Sequence, residues 1–477
     1  MSVRKHHRVD DPAITRMLAD ARLTPFWLDR PDVPLPPAEA PRRGRHEADL
    51  LVVGAGFTGL WAAHQALDDQ PGRDVLVLDA SGPGDGASGR NGGFCDASVT
   101  HGIANGLDKW PGEYATLHRL GDDNLAGLLA DVERLGIDAH WEAVGELDVA
   151  TAEWQLDDVL HHVEPLRAHG VDLTVLDAEA VRAEVGSPTF VGGVWRHSGV
   201  GLVDPGRLVL GLRRSLLERG GRLADHTSLT ALRHDGAAVQ AEGPGVAVKA
   251  RQVLLATNAF PGLVPPIRRA VVPVYDHVLV TEPLSDAQLA SIGWKHRQGI
   301  GDAANQFHYF RLTPDNRVLW GGYDAIYHWR GRIGPAVEAN EPTERMLAAQ
   351  LLDCFPQLEG IAVTHRWGGP IATTTRFAFT AGTRWDRRVA WSVGYTGLGV
   401  GATRFGARVA LDLLAGADNE RTRLSMVRRA PLPWPPEPIR WAGITLTRRA
   451  IARADAHDGR RGPWLRLLDA LGVGFDS

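Results

Sequence analysis

From Ala48 to Asp79 the chain reads ADLLVVGAGFTGLWAAHQALDDQPGRDVLVLD. Leu50–Val53 is an unbroken apolar run, which predicts a strand buried on both faces of a parallel sheet. Glycines follow at 54, 56 and 59, and Leu60, Ala63 and Leu67 then recur at helical spacing. A second apolar run closes at Asp79, so the stretch predicts strand, tight turn, helix and strand. The same order returns near the other end of the chain. RVAWSVGYTGLGVGATRFGARVALDLLAG (388–416) predicts a strand to Val393 and a turn through Gly394, Gly397, Gly399 and Gly401. A helix with Phe405, Val409 and Leu413 on one face follows.

Between these units the pattern changes twice. Leu117, Leu120, Leu125, Leu128, Leu129, Val132 and Leu135 mark an amphipathic helix or helix pair. GELDVAT then predicts a strand, and Gln155 to Val163 a helix stopped by Pro165. DPGRLVLGLRRSLLERGG (204–221) has a proline just inside its start and a Gly-Gly stop, the signals of a complete helix. It leads to a strand at 251–257. AVVPVYDHVLVTE predicts a strand with an edge or bulge at Pro273. NQFHYFRLTPDNRVLWGGYD predicts a hairpin turning at Thr313–Asn316. Residues 1–47 predict a short helix at 13–21 and an extended, proline-rich packing strap. The tail predicts helices at 441–454 and 463–471.

At 477 residues the chain exceeds a usual single domain, and 44% apolar residues support large cores. A net charge of −5 without a long basic run gives no nucleic-acid surface. No run of about eighteen apolar residues suggests a membrane span. Two cysteines and a polar N-terminus without the apolar core of a signal peptide fit a soluble cytoplasmic enzyme. No cluster has metal-ligand spacing, so no metal is expected.

Candidate chemistry sits at the glycines. With 54 glycines in the chain, the GxGxxG spacing arises by chance roughly 0.7 times, so only its strand–turn–helix setting gives it meaning. In that setting Gly54 permits the turn, Gly56 admits a pyrophosphate, and Gly59 lets helix and strand pack closely. Asp79 stands where an acid accepts hydrogen bonds from a ribose. SGPGDGASGRNGGF (81–94) has six glycines, a composition that lets main-chain amides converge on a ligand. Arg90 could neutralise a pyrophosphate there, and Ser88 and Asn91 could reach cofactor oxygens. The second glycine turn, redundant for NAD, suits a flavin, because its helix dipole can stabilise charge on the reduced ring. On the hairpin, Phe307, Tyr309 and Arg311 share one face. An aromatic face ending in an arginine suits a ligand carboxylate, and an arginine merely paired to an acid is the structural alternative.

DLLVVGAGFTGLWAA, GASGRNGGF, LLATNA, YFRLTPDNRVLWGG and GYTGLGV together resemble the D-amino-acid-oxidase superfamily of FAD-dependent oxidoreductases. Within it the chain is most similar to gamma-glutamylputrescine-oxidoreductase-like proteins, over roughly residues 20–420. The resemblance implies an α/β fold: a Rossmann-like FAD-binding domain of discontinuous segments (48–104, 191–269 and 360–420) and a substrate domain on a mixed or antiparallel sheet (105–190 and 270–359). The strap (1–47) and a helical tail (421–477) flank them. It also implies that Gly54, Gly56, Phe57, Thr58 and Gly59 contact the pyrophosphate and Asp79 the ribose. Ser88, Arg90, Asn91 and Gly92 would lie along the flavin, and Leu229 and Thr257 against the nucleotide. Gly394, Gly397, Leu398, Gly399 and Val400 would meet the pyrimidine end of the ring, and Tyr309 and Arg311 the substrate. Leu398 replaces a histidine common in relatives, and the tethering residues of the covalent branches are missing, so non-covalent FAD is expected, with Cys95 nearby. The implied reaction is oxidation of an amine or amino-acid C–N bond by hydride transfer to flavin N5, giving an imine that hydrolyses, with oxygen or another acceptor taking the electrons. A flavin-dependent hydroxy-acid dehydrogenase and a non-catalytic flavin-binding protein are the alternatives.

Overall fold

The computed structural model describes residues 7–260 and 262–470; the first six residues of the polar N-terminus and the expected helix end at Leu471 lie outside them. Two large sheets share the chain. In the first, Gly44–Val53 lies between Val75–Leu78 and Val246–Leu255, parallel to both. Leu50, Leu51 and Val52 are fully buried, as a run without alternation requires of a central strand. Arg222–Ala224 extends the sheet in parallel beyond Val75–Leu78. The outer edge of Val246–Leu255 is divided. Its first half pairs antiparallel with Val239–Gly243, and its last three residues pair in parallel with Val389–Val393. The carboxyl ends of the parallel strands therefore meet along one edge, where both glycine turns begin. The helices that follow them, Phe57–Asp69 and Gly399–Ala415, pack against each other.

The second sheet has nine strands in the order Arg22–Leu23, Val363–Thr373, Val272–Thr281, Val318–Ile326, His308–Leu312, Gly299–Asp302, Glu146–Ala150, Gly192–Arg196 and Leu173–Leu176. All pairs are antiparallel except the first and the pair joining Gly299–Asp302 to Glu146–Ala150. Gly192–Arg196 and Val363–Thr373 were expected with the nucleotide-binding unit, and both belong to this sheet instead. The first pairs with Glu146–Ala150 along its whole length, and the second with Val272–Thr281 over ten positions. The chain returns to the first sheet only with the helix Pro205–Glu218 and again with the strand Thr380–Arg384, which pairs antiparallel with Val389–Val393.

Two proline readings also change. Pro165 does not stop a helix; it sits in the first turn of a separate one, Val163–Ala168, where its missing N–H is harmless. Pro273 lies on an interior strand. It pairs with Ala372 on one side, and on the other the neighbouring strand begins only at Tyr275, with a bulge between Tyr275 and His277. The strap is more than a cover: Phe26 and Trp27 are buried beneath the second sheet with Val278, Val280, Leu319 and Trp367. Helices Ile439–Asp455 and Pro463–Ala470 form the tail. Among the described residues no helix is long and apolar enough to cross a membrane.

Candidate active site

One cavity of about 700 Å³ runs from the first glycine turn to the face of the second sheet. At its start Gly54 takes φ +108°, and a Cβ there would stand 2.6 Å from the carbonyl oxygen of Ala256. Only glycine fits. Gly54, Gly56, Phe57 and Thr58 line the cavity. Gly59 does not: its Cβ would lie 1.8 Å from the Gly54 oxygen, so it fastens the helix to the turn rather than contacting a ligand. Asp79 lines the cavity and accepts from the amides of Ala55 (2.6 Å) and Ser81 (2.8 Å), tying the turn to the next loop. Burial pushes its carboxyl upward against those two hydrogen bonds.

The loop 81–94 is in the expected place, but its polar side chains do other work. Ser88 Oγ accepts from the Phe57 amide at 2.9 Å. Asn91 Nδ2 donates to the carbonyls of Ala87 and Ser88, and its Oδ1 accepts from Gly93. Arg90 is paired with Glu338 at 3.0 Å and donates to the carbonyls of Gly368 and Asp85, so it is not free to neutralise a pyrophosphate. Two indoles hold the loop from outside: Trp27 Nε1 donates to the Asn91 carbonyl and Trp367 Nε1 to that of Arg90. Ser88, Arg90, Asn91 and Gly92 all line the cavity, which they serve by fixing the main chain.

Leu229 and Thr257 line the same cavity. Thr257 Oγ1, Asn258 Oδ1 and His101 Nδ1 are buried there without a hydrogen-bond partner among the described residues. Asn258 (φ +44°) and Thr396 (φ +53°) hold left-handed backbones, which asparagine tolerates and a β-branched threonine rarely adopts. Gly397, Leu398, Gly399 and Val400 also line it, whereas Gly394 (φ +84°) makes the turn from behind, its Cβ direction blocked by Thr374 Cγ2 at 2.5 Å. Leu398 is the N-cap of Gly399–Ala415 and supplies no capping atom, which leaves first-turn amides available to a ligand. Thr58 Oγ1 donates to the Tyr395 hydroxyl at 3.1 Å, and Tyr395 lies 2.8 Å from Ser392 Oγ, so the two distant glycine turns are joined directly. Cys95 is fully buried in the core beside the first sheet and does not line the cavity. Burial raises its thiol pKa.

At the far end Tyr309 enters the cavity and donates to Asp276 Oδ2 at 2.7 Å, while the His277 amide donates to Oδ1 at 2.8 Å. Burial pushes the Asp276 carboxyl up to about 6. Arg311 is not brought to the site. It is fully buried, donating to the Val203 carbonyl at 2.7 Å and paired with Glu142 at 3.0 Å. Glu146 lines the cavity and pairs with Arg196, which also holds Asp96 and Asp148. The tail supplies an unexpected wall: Ile444, Thr447, Arg448 and Ile451 line the cavity at i, i+3, i+4 and i+7 of one helix. That periodicity was readable in the sequence; its destination was not. No group of three or more His, Cys, Asp or Glu among the described residues is arranged to hold a metal ion.

A parallel sheet opening through two joined glycine turns into a cavity roofed by a second sheet defines a dinucleotide-dependent oxidoreductase of two-sheet construction. Residues 49–413 match the family described as FAD dependent oxidoreductase (DAO), and the chain belongs to that family. Gamma-glutamylputrescine oxidoreductase of Escherichia coli (strain K12) is 33% identical over 384 residues, 78% of this chain and 84% of that protein. A probable oxidoreductase OrdL of Rhizobium meliloti (strain 1021) is 27% identical over 88% of this chain and 92% of its own length. Among solved structures, glycine oxidase from Geobacillus kaustophilus superposes with a TM-score of 0.67 at 18% identity, covering 80% of this chain and 99% of that one. L-amino acid deaminase from Proteus vulgaris gives 0.65 at 15%, covering 80% and 96%. The protein is thus an FAD-dependent oxidoreductase. Its cavity fits that cofactor: a glycine turn that brings the main chain of Gly54 and Gly56 to the cavity, an uncapped helix start at Leu398, and unpartnered polar atoms on Thr257 and Asn258.

Proposed function

We propose that the protein oxidises the C–N bond of an amine or amino acid held between bound FAD and the Tyr309–Asp276 pair. The observation that carries this reading is Asp276. Of the carboxylates lining the cavity, Asp85, Glu146 and Asp324 are paired with arginines, and Asp79 stands at the first glycine turn, tied to the amides of Ala55 and Ser81. Asp276 forms no salt bridge among the described residues and faces the cavity with a carboxyl titrating near 6. It is ionised at neutral pH, in the form that accepts a hydrogen bond from a substrate nitrogen or takes a proton from it. Tyr309 fixes its orientation.

In this reading Gly54, Gly56, Phe57 and Thr58 receive the pyrophosphate, with Asp79 on the ribose. The loop through Ser88, Arg90, Asn91 and Gly92 and the turn at Gly397, Leu398, Gly399 and Val400 enclose the ring. Bound FAD supplies the two-electron acceptor for the substrate C–N bond, and the imine so formed is hydrolysed to a carbonyl compound and an amine. The chain's contribution is to orient the carbon–nitrogen bond and, through Asp276, to accept the hydrogen bond or proton of the nitrogen, so that no separate base on carbon is needed. The names of the Escherichia coli relative and of the oxidase and deaminase neighbours support the same class of substrate. Two free, buried cysteines suit a cytoplasmic enzyme.

The test is anaerobic mixing of the FAD-loaded protein with polyamines, N-methyl amino acids and D-amino acids, one class at a time. Loss of the visible flavin absorbance with at least one class, and release of a carbonyl product, is expected. Bleaching by 2-hydroxy acids alone would overturn the reading in favour of alcohol oxidation. Peroxide formation on readmitting air distinguishes oxygen from another acceptor.

A further inference from the structure

We infer that the substrate carries a carboxylate or similar anion away from its reacting nitrogen, and that Arg448 on the tail helix Ile439–Asp455 reads it. The inference rests on the amine-oxidising reading above and names its substrate class more closely. Two arginines line the cavity. Arg90 is nearly buried and committed to Glu338, Gly368 and Asp85. Arg448 is different. Its guanidinium makes one ion pair, Nη1 to Asp324 Oδ1 at 3.4 Å, and no hydrogen bond among the described residues. Its side chain retains 32% exposure and Asp324 21%. Asp324 has a second partner, accepting from Thr343 Oγ1 at 3.2 Å, so it stays in place when the arginine turns to a ligand. A planar guanidinium with Nε and Nη2 unengaged is suited to a bidentate carboxylate.

The helix that carries Arg448 is anchored as a binding wall must be. Just ahead of its first residue, Glu437 accepts from the Tyr327 hydroxyl at 2.6 Å. At its last residue, Asp455 accepts from the amides of Asn305 and Gln306, each at 3.0 Å, on the segment leading to the Tyr309 strand. Trp464 of the next helix donates to Thr447 Oγ1 at 2.9 Å, one residue before the arginine. Arg448 and Asp276 line the same cavity, and Asp324, the partner of Arg448, lies on the strand paired to the one that carries Asp276, so a substrate with a nitrogen at Asp276 and an anion at Arg448 satisfies both. Arg311, the arginine the strand pattern favours for that role, already has its own acid in Glu142.

Calorimetric titration of the FAD-loaded protein with pentanoate tests the subsite without turnover. Wild type binds it; Arg448→Gln, which keeps a polar side chain of similar reach, weakens binding about tenfold or more, and Arg448→Lys restores part of it. In turnover, 5-aminopentanoate is favoured over pentylamine and 1,5-diaminopentane, and Arg448→Gln erases that preference by raising KM for the carboxylate substrate with kcat little changed. Equal pentanoate binding by wild type and Arg448→Gln, or none by wild type, overturns the inference even if amines are oxidised well. Pentanoate binding that depends on Arg448 in a protein no amine bleaches would leave the anion subsite standing and sink the C–N oxidation. FAD content and the thermal midpoint of each variant distinguish a lost contact from a displaced helix.

Discussion

Replacing Tyr309 with phenylalanine removes one oxygen atom and leaves the ring where it is, edge-on to Phe94 at 5.9 Å between centroids. The lost hydroxyl is the 2.7 Å donor to Asp276 Oδ2. The Asp276 carboxyl stands near 6 because burial raises it, while the hydrogen bonds from Tyr309 and from the His277 and Gly322 amides hold it down. A hydrogen bond to a charged acceptor contributes roughly 1.5–3 kcal/mol, and 1.36 kcal/mol corresponds to one pKa unit, so its loss raises the carboxyl by about 1–2 pH units. The ionised form is the one that accepts from the substrate nitrogen. The acidic limb of kcat/KM therefore moves to higher pH, from near 6 in wild type to about 7–8 in Tyr309→Phe. The tyrosine itself adds no limb in this range, since burial beside Asp276 raises its pKa well above the ordinary value. The assay is kcat/KM across roughly pH 5–10 for one amine that bleaches the flavin, in wild type, Tyr309→Phe and Asp276→Asn. An acidic limb near pH 6 that stays put in Tyr309→Phe, or survives in Asp276→Asn, refutes the assignment of Asp276 as the group that meets the nitrogen.

Gly59→Ala places a methyl group 1.8 Å from the Gly54 oxygen and 3.1 Å from Val52 Cγ1. Overpacking of about 1–3 kcal/mol should open the turn and weaken FAD retention about tenfold, and retention equal to wild type on gel filtration would contradict the packing role. Arg311→Met leaves the Val203 carbonyl without its donor and Glu142 with Arg297 alone. Chemical denaturation should show a loss of about 1–3 kcal/mol, with the relative KM values for carboxylate-bearing and uncharged amines unchanged; a stable variant with a selectively raised KM for carboxylate substrates would return Arg311 to the substrate. His64, His101 and His277 are each lowered from 6.5 to about 4 by burial. The unfolded chain therefore takes up protons that the folded chain resists, and stability present above 6.5 is lost as pH falls toward 4. Titration of the imidazole proton resonances should find all three still neutral at about pH 5, and a resonance moving with a midpoint of about 6.5 would show that its imidazole protonates freely in the fold.

What was legible in the sequence was what the backbone dictates. Leu50–Val53 had to be a central strand because an unbroken apolar run leaves no face for water, and Gly54 had to turn there because φ +108° with a carbonyl 2.6 Å from the Cβ direction admits nothing else. The hairpin was legible for the same reason: Thr313 and Asp315 close the turn through their own side chains. Side-chain roles were harder, and the failures have one physical form. Ser88, Arg90 and Asn91 were read as ligands because they stand in a ligand loop. A loop of six glycines has little of its own to hold it, however, and its few polar side chains are needed to satisfy and fix the main chain. Strand alternation placed Arg311 on the same face as Tyr309, yet the residues that claim it, Glu142 and Val203, lie 169 and 108 positions away.

The tail is the converse case. Ile444, Thr447, Arg448 and Ile451 form one helical face in any reading, and such a face is ordinarily apolar where it packs. An arginine in its centre is costly against a closed core and favourable against a polar cavity that admits a charged ligand. Where Arg311 and Arg90 each meet at least one carboxylate and two carbonyls, Arg448 meets one carboxylate at 3.4 Å on the wall of the cavity. The local pattern offered three arginines for one role. What separates them is which guanidinium the fold leaves with donors to give, and that is set by partners from distant parts of the chain.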